Sequence, residues 1–276
     1  MASWPAGSEQ QPLTMSAWLL DHEAEVRLAA FLSLFAVFII VQRVHPLRSM
    51  PGGWRRSATN MALVVIDTVI LRVAFPLLAF DLAVNLDAAG DGWLRGLPTA
   101  VGVVAGVLLL DVAIYWQHRI LHVVPFLWRL HRVHHADTGF DVTTGVRFHP
   151  LEIVLSMGIK LGLIAALGIP ALAVLIFELA LSAGSLFTHA NVALPPRFEH
   201  ALRWIFVTPD MHRIHHSVHR EETNSNFGFH LSVWDRIFRS YRDQPRDGQK
   251  TMSIGLHEFR DPREQTLWAL LLNPFR

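Results

Sequence analysis

The chain has 276 residues, of which 51% are hydrophobic and only 17% charged, well under the roughly 25% charged residues of soluble domains. A formal net charge of +1 supplies no basic surface for phosphate backbones, so a nucleic-acid partner is not expected. With no cysteine in the chain, disulfides, thiolate metal sites and cysteine nucleophiles are excluded together, and any metal must be held by nitrogen and oxygen.

In chain order, residues 1 to 20 lack the basic start and apolar core of a signal peptide and are read as a short tail. LAAFLSLFAVFIIVQ, from Leu28, spans a bilayer if its flanks are included. MALVVIDTVILRVAFPLLAF, residues 61 to 80, has the length of one crossing, as does LPTAVGVVAGVLLLDVAIYW, residues 97 to 116. Residues 151 to 187 form an apolar run too long for one crossing. Gly168-Ile169-Pro170 interrupts it near the middle and predicts a tight helical hairpin. The expected fold is therefore all-α: an integral membrane bundle of about five spanning helices, two of them in the hairpin, with a cytoplasmic histidine-rich helical cap. Asp67, Arg72, Lys160 and Glu178 fall inside the apolar runs, either as paired structural charges or as the lining of a substrate passage.

Loop charge sets the orientation. Arg43 to Arg56 holds four arginines and no acid, whereas Asp81 to Leu97 holds three aspartates against Arg95. Because basic residues accumulate on the cytoplasmic side, the first helix enters, the second leaves and the third re-enters. This delivers His118 to His149, and after the hairpin His189 to His219, to one membrane face. If the source is bacterial, the membrane is the inner one.

Twelve of the sixteen histidines lie between His118 and His219. His118 and His122, in HRILH, are one helical turn apart on the third spanning helix. Asp111 and Tyr115 precede them on the same stripe, where a carboxylate could orient a liganding ring. His131, His134 and His135, in HRVHH, share a face, as do His212, His215 and His216, in HRIHH. Eight imidazoles exceed the four to six positions of one ion and suit two. His189 is the expected ninth ligand. His149 and His219 are further possible ligands or supports, while His200 and His230 are read as surface or structural residues, and Trp234 as core. Acids are sparse beside these histidines and HExxH is absent, so the set points to a redox metal pair activating oxygen near a lipid. Two other readings use the same residues: a zinc-dependent lipid hydrolase, and a non-enzymatic membrane carrier of metal or haem.

The motifs HRILH, HRVHH and HRIHH, with DVAIYWQHRILH, FTHANV and NSNFGFHLSVWDRIFRSY, resemble the sterol desaturase / fatty acid hydroxylase superfamily of integral-membrane di-iron oxygenases. The resemblance covers Val104 to Asp243, giving an expected organisation of residues 1–103 (tail and first two spans), 104–243 (di-iron domain) and 244–276 (C-terminal tail). It implies two non-haem irons, dioxygen as co-substrate and hydroxylation or desaturation of a sterol, fatty acyl or ether lipid. It also implies His118, His122, His131, His134, His135, His212, His215 and His216 as ligands, with His189 in the place of the family's isolated histidine. Arg147, His149 and Glu152 form an RxHPxE spacing similar to that of members acting on ether lipids and sterols. No haem, ferredoxin segment or dinucleotide fingerprint is present, so a separate donor protein of ferredoxin or cytochrome type is expected.

Overall fold

A computed structural model describes residues 14–276. The tail expected over residues 1 to 20 lies outside the described residues up to residue 13. Beyond it, Thr14 caps a short helix, α1 (Met15–Asp21), by accepting from the Ala17 N–H. Then follow α2 (Glu23–Val44), α3 (Gly53–Ala74), α4 (Ala79–Ala89), α5 (Thr99–Val123), α6 (Pro125–His135), α7 (Pro150–Leu167) and α8 (Ala171–Thr188). The short helices α9 (Pro196–Leu202), α10 (Pro209–His215), α11 (Arg220–Thr223), α12 (Val233–Ile237) and α13 (Leu267–Leu272) complete the chain. Only isolated bridges, and no strands, occur among the described residues.

Five helical segments are long and apolar enough to cross a membrane, and the protein is a multi-pass integral membrane protein. The second segment is not the continuous helix expected over residues 61 to 80. It starts earlier, at Gly53, breaks after Ala74 and resumes at Ala79. Pro76 is the physical cause: it lacks an amide hydrogen and its ring clashes with the carbonyl four residues back. The hairpin forms as anticipated, with α7 ending at Gly168 in the left-handed region (φ 62°) and α8 starting after Pro170.

Contacts between loops fix which helix ends coincide. A Cβ on Gly92 would fall 2.3 Å from the Gly168 Cα, so the loop after α4 lies directly on the hairpin turn. Arg95 fastens the two by donating to the Ile169 carbonyl at 2.9 Å. At the opposite end, Gln42 near the end of α2 accepts from the Val142 and Asn191 amides. All histidine motifs sit at that second end. The main core is built by α4, α5, α7 and α8 and includes Leu110, Ile114, Ile164 and Phe177.

Two polar features organise the histidine end. Arg56 at the start of α3 is buried and bonds Asp137 (2.6 Å) and Asp141 in the loop after α6. Arg147 adds bonds to the Val133 carbonyl and to Asn60. Arg56 therefore acts as an internal tie, although by sequence it counts as a loop charge. The C-terminal residues pack on the bundle: Leu270 joins Leu63 and Val133, and Arg132 bonds Asn273.

Candidate metal centre

The local sequence explains how the three motif-bearing helices meet, the end of the long α5 with the shorter α6 and α10. α5 ends at Val123, and Pro125 opens α6 after one intervening residue, so HRILH and HRVHH flank a sharp bend. α10 is started by the Thr208 side chain, which accepts from the Met211 N–H, with Pro209 at its first position. It carries HRIHH against the other two motifs. His189 is the residue that ends α8.

All nine expected histidines come together, in two groups. His118, His122, His131, His135 and His215 form one, and His134, His189, His212 and His216 the other; within each group the potential ligand atoms lie within 4.8 Å of one another. The HxxHH residues therefore do not act from a single face. Residues i and i+4 project about 40° apart, whereas i+3 lies about 100° from i+4. His131 and His135 accordingly feed the first group and His134 the second. HRIHH does the reverse, with His212 and His216 in the second group and His215 in the first.

Hydrogen bonds set the tautomers. In the first group His118 Nδ1 donates to the Phe227 carbonyl (2.8 Å) and His215 Nδ1 to the Ser225 carbonyl (2.8 Å). His131 Nδ1 donates to Glu152 Oε1 (2.8 Å) and His122 Nδ1 to Asn224 Oδ1 (3.2 Å). The Nε2 atoms of all five rings are buried without a hydrogen-bond partner among the described residues. In the second group His134 Nδ1 donates to the Arg147 carbonyl and His189 Nδ1 to the Ser185 carbonyl. A carbonyl only accepts, so both rings carry their proton on Nδ1 and present a lone pair at Nε2. Yet His189 Nε2 lies 3.2 Å from His134 Nε2, and 3.0 and 3.2 Å from those of His212 and His216. Two lone pairs at that distance repel unless a cation lies between them.

Burial keeps six of these nine rings neutral. Desolvation, with repulsion from neighbouring imidazoles, holds His134, His135, His212 and His216 well below the ordinary imidazole value. The same desolvation lowers His215 to about 3 and His189 to about 4. Neutral nitrogen donors without a carboxylate in either group fit a pair of transition-metal ions.

The remaining predicted residues fall elsewhere. Asp111 does not reach a ligand; it accepts from His230 Nδ1 and from Trp234 Nε1 (2.6 Å). Tyr115 is fully buried and bonds Ser240 (2.6 Å). His149 caps α7 by accepting from the Leu151 N–H, and its Nε2 donates to the Leu271 carbonyl. His219 pairs with Asp247 near the surface. His200 is exposed, whereas His230 is nearly buried beside Asp111. Sequence reasoning missed the acceptors that orient the rings. Two stretches nevertheless carried a signal: NSNFGF contains Asn224, Ser225 and Phe227, which hold His122, His215 and His118, and in the RxHPxE spacing Glu152 holds His131, the Arg147 carbonyl holds His134, and His149 caps α7.

An apolar cavity of about 400 Å³ opens from this centre into the bundle. His118 and His131 form part of its wall, together with Ile114, Met157, Leu181 and Phe229. Asp67 lines it as well, and so does an ion-paired chain in which Glu178 meets Lys160 at 2.7 Å and Arg27 at 3.0 Å.

Comparison with known proteins bears on what this centre belongs to. The chain is 30% identical over 162 residues to an ornithine lipid hydroxylase of Rhizobium tropici, covering 59% of this chain and 48% of that one. It is 31% identical over 137 residues to the human alkylglycerol monooxygenase, covering 48% of this chain and 28% of the relative, and 29% identical over 132 residues to that of Xenopus tropicalis, covering 48% and 28%. The chain thus spans about half the length, or less, of these curated relatives. No solved structure matches it. Residues 103–240, half of the chain, match the fatty acid hydroxylase family, and every histidine of both groups falls within that stretch: the chain belongs to the fatty acid hydroxylase family.

Proposed function

We propose that the protein is a membrane-bound oxygenase that hydroxylates or desaturates a lipid, using dioxygen and two electrons from a separate ferredoxin- or cytochrome-type protein. The observation that carries this reading is the meeting of two all-imidazole nests with an apolar cavity inside a membrane bundle. Two iron ions, one in each nest, would supply the reductive activation of dioxygen that an unactivated C–H bond requires. For hydroxylation the overall balance is RH + O2 + 2e⁻ + 2H⁺ → ROH + H2O.

The chain's own residues perform the supporting work. Backbone carbonyls and Glu152 hold His118, His131, His134 and His215 with Nε2 directed inward, so these rings need not lose a proton when metal binds. The apolar walls of the cavity bring a hydrocarbon segment against His118 and His131 while excluding water. The arginine-bearing connection between α2 and α3 supports placing this end of the bundle in the cytoplasm, and of the inner membrane in a bacterium. In a chain without cysteine, single cysteines introduced at Ser49 and Asp91 provide a direct test of sidedness by impermeant labelling. The functional test compares the lipids of cells expressing the wild type and His134→Ala, grown with and without oxygen, alongside iron analysis of both purified proteins. The expected result is two irons per wild-type chain and an oxidised lipid that depends on oxygen and on His134. Identical lipids in both strains, or zinc in place of iron, would refute the reading.

A further inference from the structure

Among the ionisable groups lining the cavity, one has no internal partner. Lys160 and Arg27 are both engaged by Glu178, and Arg27 additionally by Glu23 at 3.1 Å. Glu152 holds His131. Asp67 differs: it sits within a membrane-spanning helix, is 7% exposed, and its Oδ1 is buried with no hydrogen-bond partner among the described residues. It cannot reach solvent by extension, because its side chain is short and faces the cavity. A carboxyl group kept at such depth without a partner is costly, and it marks a place where something else completes the hydrogen bonding.

We propose that Asp67 anchors a hydrogen-bond donor carried by the lipid itself, a hydroxyl or an ammonium group, and thereby selects substrates that bear one. The inference rests on the oxygenase reading for the identity of the bound molecule as substrate. Two features make the donor specific to Asp67. Among the described residues Asp67 is the carboxylate on the wall with neither oxygen engaged, whereas Glu178 meets Lys160 and Arg27 and Glu152 is committed through one oxygen to His131, so a polar group entering this mostly apolar cavity meets a wholly unpaired acceptor at Asp67. An apolar molecule of the same length would fill the same space and leave the Asp67 oxygen unpaired. Discrimination of this kind is strong because the penalty falls on the site's own buried polar atom.

The test is equilibrium binding to the purified full chain, with tritiated 1-hexadecanol displaced by unlabelled 1-hexadecanol, hexadecylamine or hexadecyl methyl ether. The wild type is expected to favour at least one donor-bearing competitor over the ether by about tenfold. Preference for the alcohol assigns a hydroxyl-bearing lipid, and preference for the amine an ammonium-bearing one. Asp67→Leu should bring all three competitors to equal strength. Asp67→Asn, which keeps the shape and an acceptor oxygen, should preserve preference for the alcohol and abolish preference for the amine. Both variants should retain the wild-type metal content, which shows that the fold and the histidine centre are intact. The proposal is overturned if the ether competes as well as the alcohol and amine in the wild type, or if the donor preference survives Asp67→Leu. Binding needs no turnover, so the two readings fail separately: a wild type that makes no oxidised lipid defeats the oxygenase reading, and equal competitors defeat the role of Asp67.

Discussion

Replacing Glu152 with alanine should weaken metal binding in one nest and spare the other. The carboxylate accepts from His131 Nδ1 at 2.8 Å, with the two side chains 5% and 1% exposed. Without it His131 retains a buried N–H with no acceptor, at a cost of about 1–3 kcal/mol. It also loses the constraint that keeps the lone pair on Nε2. Loss of such an outer partner lowers metal affinity by about 10- to 100-fold, or about 1.4–2.8 kcal/mol, so two independent routes give the same magnitude. Glu152→Gln still offers an oxygen and gives up only the charge assistance, so its loss should stay below about tenfold. The assay is metal release against increasing chelator, read as two steps. The step belonging to His118, His122, His131, His135 and His215 should move to lower chelator, while that of His134, His189, His212 and His216, which do not contact Glu152, should overlay the wild type. If both steps move equally, or neither moves, the assignment of Glu152 to one nest is wrong.

Other perturbations follow from the same geometry. His189→Ala removes the ring whose Nε2 lies 3.0–3.2 Å from three others, and metal content should fall from about two ions to about one per chain; unchanged content by elemental analysis would contradict this. The metal-free fold should be most stable above the ordinary imidazole pKa of about 6.5. The unfolded chain takes up protons as pH falls through that value, whereas His189 and His215 resist until about 4 and about 3, so stability is lost on acidification and regained as pH rises. Denaturant unfolding of the apo protein at pH 8 and pH 5 measures this, and a flat profile would be inconsistent with buried neutral rings. Arg56→Met leaves Asp137 and Asp141 without their shared cation and should cost about 3–5 kcal/mol, seen as a lower Tm in detergent; an unchanged Tm would show that Arg147 and Thr144 suffice to hold Asp137.

Spacing and hydropathy made the five spans and the nine clustered histidines legible, because both are properties of residue type at a fixed period. The break after Ala74 was hidden for the same reason: the apolar run continues through Val73, Phe75, Leu77 and Leu78, and hydropathy does not register the backbone restriction at Pro76. Asp111 illustrates a different limit. Seven residues before His118 it does lie on the same stripe, but the separation along the helix is about 10 Å, beyond the reach of a side chain to a ring. The acceptors that hold the rings are largely main-chain carbonyls of Phe227, Ser225, Arg147 and Ser185, which any residue would supply and which therefore leave no mark in composition. Their positions depend on loops distant in sequence, and only the folded chain reveals them.

The division of each HxxHH motif between two nests gives the spacing its purpose. A helix that offered only residues i and i+4 would direct both rings to one ion and leave the second dependent on other segments. The additional histidine at i+3 projects about 100° from its neighbour at i+4, which suits a ligand for an adjacent ion on the same short helix. HRVHH and HRIHH use this in opposite senses, each giving its i, i+4 pair to one nest and its middle ring to the other. The two nests are thereby bridged through two rigid seven- to eleven-residue helices without any bridging carboxylate in either ligand set. HRILH and His189, which serve one nest each, then fill the positions that remain. The distance between two metal ions would in this arrangement be set by helix geometry and by the packing that holds α6 on α5 and α10 on α8. It follows that residues under those helices, Val133 and Ile214 among them, both fully buried, govern the centre as directly as the outer partners of the ligands do.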